Sequence, residues 1–190
     1  RDSINLARTI NDHGYSLAQI GRSSPAYSNV EDGLKLRQKL GFGRSIAYSL
    51  NTLAALFTMG QRPLSAIHHA KKALAIFRRL EKRFEQVLAL RTLAEAWRRN
   101  ETIIQDQLLR RKRCLENAFE CINQALNLVI VNGEPIAGPD FMAELYDEYA
   151  CILRSQAILA KTAPELYTEK YHKFGKDAED QFQMALAQLT

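Results

Sequence analysis

The chain has 190 residues, 46% hydrophobic and 25% charged, a globular composition that excludes disordered and collagen-like classes. No run approaches the ~18 apolar residues of a membrane span, and Arg1-Asp2-Ser3 opens without a hydrophobic leader core, so a cytoplasmic protein without a membrane partner is expected. The net charge of +5 is unevenly spread: residues 71–113 hold thirteen Lys or Arg against five acids, and residues 134–190 hold five against ten.

A helical apolar rhythm begins at Ile4, with no initiator Met before it, which reads as a piece of a longer protein. The first helix carries Ile10, then His13-Gly14, then Leu17. This spacing puts all four residues on one helix face, with a small residue where a neighbour must come close. His13 is expected to sit half-buried there. Gly21 follows as a helix stop with positive φ, and a second helix carries Ala26, Val30 and Gly33-Leu34.

After the turn Leu40-Gly41-Phe42-Gly43 the pattern returns forty residues on, as Leu50, Leu53-Ala54 and Phe57. Gly60 is the next expected stop, and Pro63 suits the start of the following helix, which carries Ala66, Ala70 and Ala73-Leu74. A third return gives Leu90, Leu93-Ala94 and Trp97, followed by Ala118, Ile122 and Ala125-Leu126. About twelve extra residues separate Trp97 from Ala118 relative to the earlier units, which calls for a longer second helix or an added turn. Val131 to Asp140 is the richest Gly/Pro stretch and the candidate hinge. A fourth unit reads as Tyr146, Tyr149-Ala150 and Leu153, then Ala178, Phe182 and Ala185-Leu186.

These in-phase units resemble tetratricopeptide repeats, in the forty-residue variety found in kinesin light chains, Pins-type adaptors and the sensor regions of bacterial signal-transduction ATPases. The resemblance implies an all-α, right-handed superhelix of about four helix-turn-helix repeats, at residues 4–43, 44–83, 84–131 and 138–190 of a single domain. It also implies a protein-interaction or sensor module whose first helices line a groove for a peptide or protein segment.

Chemical signatures point the same way. No P-loop, HExxH, GxSxG or paired CxxC motif occurs, so no enzyme, metal or cofactor is expected. Cys114, Cys121 and Cys151 read as reduced thiols, with the first two on one core-facing stripe. Glu144, Asp147 and Glu148 are a carboxylate cluster whose plain reading is solvated helix charge. Arg78-Arg79, Lys82-Arg83, Arg98-Arg99 and Arg110 to Arg113 raise the question of nucleic acid, but the nearby aromatics Phe84 and Trp97 occupy core-type positions, which argues against stacking on bases.

Residues between the core anchors of the first helices are the groove candidates: Arg8, Asn11, Asp12 and Tyr15, then Tyr48, Asn51, Thr52 and Ala55, then Leu88, Arg91, Thr92 and Glu95. Asn11, Asn51 and Arg91 share one phase and would line one wall, where an amide or guanidinium meets a ligand backbone or carboxylate. Two rival functions stay open: a small-molecule-sensing arm of a transcriptional regulator or signalling ATPase, and a nucleic-acid-binding array. The uncharged end at Met184, Leu186 and Leu189 suggests self-association through a terminal repeat.

Overall fold

The computed structural model describes residues 2–104 and 107–166. Its elements, in order, are α1 (Asp2–Gln19), α2 (Ser23–Leu40), α3 (Gly43–Met59), α4 (Pro63–Arg79), α5 (Arg83–Ile103), α6 (Leu108–Val129), a two-strand ribbon β1 (Ile130–Val131) and β2 (Glu134–Pro135), α7 (Pro139–Thr162) and a 3-10 turn at Pro164–Leu166. Successive helices pack as antiparallel pairs, and each first helix also meets the first helix of the next pair, so the described residues form an open helical array with a continuous core.

The small positions of the repeat are where the pairs close. A Cβ added at Gly14 would lie 2.6 Å from Val30 Cγ2 and 2.9 Å from the Ala26 carbonyl oxygen, so helix α2 rests directly on that glycine. Ala54 and Ala94, its counterparts at forty-residue intervals, are fully buried, as are Ala66, Ala70, Ala73, Ala118 and Ala125 on the second helices. Leu17, Leu53, Phe57, Leu90 and Leu93 fill the space around them. His13 instead lies exposed, its Nδ1 accepting from Asn29 Nδ2 at 3.0 Å.

The turns repeat every twenty residues. Gly21, Gly41, Gln61 and Glu81 all carry positive φ, at 79°, 72°, 55° and 53°. In three of them two hydrogen bonds tie off the helix, from Gly21 to Ala18 and Arg22 to Leu17, from Gln61 to Thr58 and Arg62 to Phe57, and from Glu81 to Arg78 and Lys82 to Phe77. Gly60 therefore does not supply the left-handed residue; its φ is −80° and Gln61 does so instead. Glycine is needed at 60 for space: the Tyr27 hydroxyl donates to the Leu56 carbonyl at 2.8 Å and lies where a Cβ of residue 60 would go.

The extra residues of the third unit lengthen both of its helices, to 21 residues in α5 and 22 in α6, against 17 in α3 and in α4. The expected hinge is a tight hairpin. Asn132 and Gly133, with φ of 54° and 86°, turn β1 back antiparallel onto β2, the Asn-Gly chemistry of a two-residue reversal. In α7 Tyr149 is buried as expected, but its buried companions are Met142, Leu145, Glu148 and Ile152, whereas the expected Tyr146, Ala150 and Leu153 are only half-buried. Arg98 draws Glu148 inward and the Tyr149 ring stacks on Phe119 at 5.8 Å, which sets that register. The second helix expected for the fourth unit and the apolar end at Met184, Leu186 and Leu189 lie outside the described residues. No helix among the described residues is long and apolar enough to cross a membrane.

Two stability measurements follow from these constraints. Ala54→Phe overpacks the α3–α4 contact and is expected to cost ~1–3 kcal/mol in urea unfolding, while Lys72→Ala on the exposed face stays within ~0.5 kcal/mol. Gln61→Gly relieves a left-handed side-chain residue and is expected to raise stability by up to ~1 kcal/mol, seen as a higher unfolding midpoint.

Candidate interaction face of the first helices

The first helices α1, α3, α5 and α7 are linked to one another by polar side chains, and the links differ from layer to layer. Between α1 and α3, Asn11 is 5% exposed and both ends of its amide are used: Nδ2 donates to Thr52 Oγ1 at 3.3 Å and Oδ1 accepts from Ser49 Oγ at 3.0 Å. Arg37, reaching in from α2, donates to that same Ser49 oxygen at 2.7 Å and to the Ser45 carbonyl at 3.0 Å. Burial lowers the Arg37 pKa and Asp12 partly restores it.

Between α3 and α5 the link is Arg44 with Glu85, joined by the Tyr48 hydroxyl, which donates to Glu85 Oε1 at 3.2 Å. Burial works against the Glu85 carboxylate, but its own backbone N–H and Arg44 hold it below the usual carboxylate range. Burial first and the Glu85 charge second push the Tyr48 phenol up, which keeps it a donor.

Between α5 and α7 there are two ion pairs. Arg91 Nη1 meets Glu144 Oε2 at 2.6 Å with its guanidinium 5.4 Å from the centre of the Phe141 ring. Arg98 grips Glu148 through both carboxylate oxygens, at 2.6 and 2.7 Å, with the side chains 18% and 10% exposed. Burial nonetheless pushes the Glu148 carboxyl above its ordinary value, against the pull of Arg98.

The remaining groove candidates stand apart. Arg8 is exposed and pairs along its own helix with Asp12 at 3.6 Å, Tyr15 is 39% exposed, and Leu88 is half-buried. Glu95 pairs with Arg99 one turn on, at 3.4 Å. The carboxylate cluster of α7 does not converge, since Glu144 and Glu148 are each held by an arginine of α5. Among the described residues no group of three or more His, Cys, Asp or Glu is placed to hold a metal ion. Phe84 is a surface side chain, 36% exposed, whose ring lies 5.4 Å from that of Phe141.

Among the described residues, two buried side-chain polar atoms have no hydrogen-bond partner: Asn51 Oδ1 and Arg91 Nε. They stand forty residues apart on neighbouring first helices, in the same phase as Asn11. Phase also explains the Asn51 orphan. Asn11 is satisfied by Ser49, whose counterpart one unit on is Ala89, fully buried and without a hydroxyl. Likewise Phe77 takes the place of Arg37 and is fully buried against the Tyr48 ring at 5.3 Å. The first layer is cross-linked by a buried polar network; the second layer leaves its amide oxygen open. Sequence alignment of the units places Ser49 above Ala89, and that pair was the signal that distinguishes Asn11 from Asn51.

Comparison with solved structures finds the same architecture in the nearly identical TPR-like repeats assigned to a kinesin light chain of Podosopora anserina, at a TM-score of 0.61 and 14% identity, covering 98% of this chain and 94% of that one. The fold is a TPR-like solenoid. No family model matches the sequence, and no curated protein matches it either. The tetratricopeptide resemblance therefore holds as a fold, and the forty-residue period is its physical expression in this TPR-like chain.

The Arg98–Glu148 pair yields a measurement. Arg98→Met leaves a buried carboxylate unpaired and is expected to cost ~3–5 kcal/mol at neutral pH, whereas Arg98→Met with Glu148→Leu recovers most of the loss. In the single variant the folded Glu148 pKa rises further above its unfolded value. Its stability is then greatest below the unfolded carboxyl pKa and falls as pH rises through the folded one, so unfolding midpoints taken from acid to neutral pH should decline.

Proposed function

We propose that this TPR-like chain is a protein-interaction module that holds an extended peptide segment along its first-helix face, with Asn51 and Arg91 as the contacts that read the peptide backbone. The observation that carries the reading is the orphaned pair. A peptide unit offers one N–H donor and one C=O acceptor. Asn51 Oδ1 lacks a donor and Arg91 Nε lacks an acceptor, and they sit in one phase on adjacent helices. A buried unpaired polar atom costs ~1–3 kcal/mol, so a ligand that satisfies both recovers free energy that the free protein forgoes.

Around this pair the reading assigns supporting roles. Tyr48 and Leu88 are half-buried and flank the two polar residues by phase, offering an aromatic and an aliphatic surface to ligand side chains. Thr52 is already an acceptor for Asn11 and bonds its own helix at the Tyr48 carbonyl, so it positions rather than contacts. Asn11 is likewise spent inside the fold, and Arg8, Tyr15 and Glu95 extend the face at its margins.

Selection from a random peptide library on the folded chain supplies the ligand, and substitution tests the pair. Asn51→Ala with Arg91→Ala is expected to weaken the selected peptide by ~1–3 kcal/mol in titration calorimetry. Ala89→Ser is the sharper probe, because it rebuilds the partner that Ser49 gives Asn11. It is expected to raise folding stability by ~1 kcal/mol while weakening the peptide. A peptide that binds this face equally well to wild type, the double variant and Ala89→Ser would remove the proposal.

A further inference from the structure

On the opposite side of the array, α4 and α6 stand apart and leave a trough of about 350 Å³ floored by α5. Both walls follow helical spacing. The α4 wall presents Lys71, Leu74, Ala75 and Arg78, and the α6 wall presents Asn117, Glu120, Cys121 and Gln124. The floor is one apolar stripe of α5, with Trp97 half-exposed and Leu90 and Leu93 almost wholly buried beneath it. Small side chains at Ala75 and Cys121 keep the middle open, and burial pushes the Cys121 thiol up to about 11, so it remains a neutral wall group. Lys71 lies over the Trp97 ring at 5.2 Å near one end, and Arg78 donates to Gln124 at 3.0 Å across the other.

Charge tells which occupant fits. Helix α4 carries Lys71, Lys72, Arg78 and Arg79, all exposed, and no Asp or Glu anywhere along its length. Glu120 is the one carboxylate lining the trough, on the far wall, and it is engaged by Gln124 Nε2 at 3.1 Å. The trough thus joins a cationic rim to a small apolar centre at Ala75, Trp97 and Cys121, the polarity that receives a short helix with apolar residues on one face and carboxylates beside them.

We propose that the α4–α6 trough is a second docking site, for an acidic amphipathic peptide segment of a partner protein, independent of the first-helix face. Apolar side chains of the segment would lie on Ala75, Trp97 and Cys121, above the buried Leu90 and Leu93, and its carboxylates would meet Lys71 and Arg78, with Arg78 exchanging its bond to Gln124 for a charged one. Cys121 marks the centre of the site, and Trp97 is the chain's single tryptophan. Fluorescence of that one residue therefore reports occupancy directly.

The test uses a synthetic helical peptide with leucines on one face and glutamates beside them, and a counterpart with every glutamate replaced by lysine. The glutamate peptide is expected to give a saturable change in Trp97 fluorescence that weakens with added salt, and the lysine peptide none. Lys71→Glu with Arg78→Glu, both rim positions that leave the core intact, is expected to weaken binding about 10-fold or more, and Glu120→Gln to tighten it about 2-fold to 3-fold. Bound peptide should also slow alkylation of Cys121 and leave Cys151 unaffected. The Asn51→Ala, Arg91→Ala double variant should bind the glutamate peptide as wild type does, which separates this site from the first-helix face. Equal binding of the two peptides, or undiminished affinity in the rim double variant, overturns the proposal, as does absence of any saturable response.

Discussion

Everything in this array depends on how closely two helices can approach at one residue per unit. At Gly14 the second helix leaves no room even for a Cβ, and its counterparts Ala54 and Ala94 are fully buried. That contact fixes the distance between partners in a pair, and the leucines and aromatics around it fill the space that the distance leaves. The alanines of α4 and α6 complete the seam from the other side. Because each pair is closed by the same device, the units stack with one period, and residues forty apart meet equivalent neighbours. Tight packing of this kind is what makes the array a set of discrete layers rather than a loose bundle.

Given equivalent neighbours, the differences between layers become interpretable. The first layer is tied across α1 and α3 by Asn11, Ser49, Thr52 and Arg37, with both ends of the Asn11 amide and the Arg37 Nη1 donor in hydrogen bonds. In the second layer Ala89 and Phe77 replace Ser49 and Arg37, and the asparagine between them loses its donor. The third layer uses long ion pairs from α5 to α7 instead. Polar linkage therefore runs along the first helices at every step, and it leaves one atom unsatisfied on α3, Asn51 Oδ1, and one on α5, Arg91 Nε. A half-satisfied buried network is costly, and such costs collect where a surface has work to do.

The fold was legible in the sequence because its cause is periodic. Ile10, Leu50 and Leu90 announce the layers, and the small residues four positions on announce the contacts between them. What escaped had other causes. The left-handed turn residue after α3 is Gln61, since backbone geometry rather than residue type places it there, and Gly60 answers to the Tyr27 hydroxyl from another helix. The hairpin at Asn132-Gly133 was written in its dipeptide but was overshadowed by the surrounding glycines and prolines. In α7 the sequence placed Tyr149 inward correctly but missed Glu148, which is buried by a partner fifty positions earlier in the chain, since apolar rhythm alone counts a glutamate as outward-facing. The same long-range pairing decided the site candidates: spacing alone treats Asn11 and Asn51 as equals, and it is Ser49 against Ala89 that sets them apart.

The distribution of charge gains its meaning from these pairings. Between residues 71 and 113 the sequence looks like a continuous basic block, yet Arg91, Arg98, Arg99 and Arg111 are each matched by a carboxylate within 3.4 Å, with Glu101 serving Arg111 at 2.6 Å. Those arginines hold the first helices and the long α5–α6 pair together. Helix α4 is different in kind, since it has no acids of its own and presents its cations outward. The surplus charge of the block is thus carried by α4, at the rim of the trough, and by the exposed Lys82, Arg83, Arg110 and Arg113 beyond it, while the first-helix face is nearly balanced by its own ion pairs. Under the proposed function, one side of the solenoid would read backbone polarity through the unsatisfied Asn51 and Arg91 atoms. Under the further proposal, the other would read acidic side chains through long-range attraction, so that the two faces need not compete for the same partner.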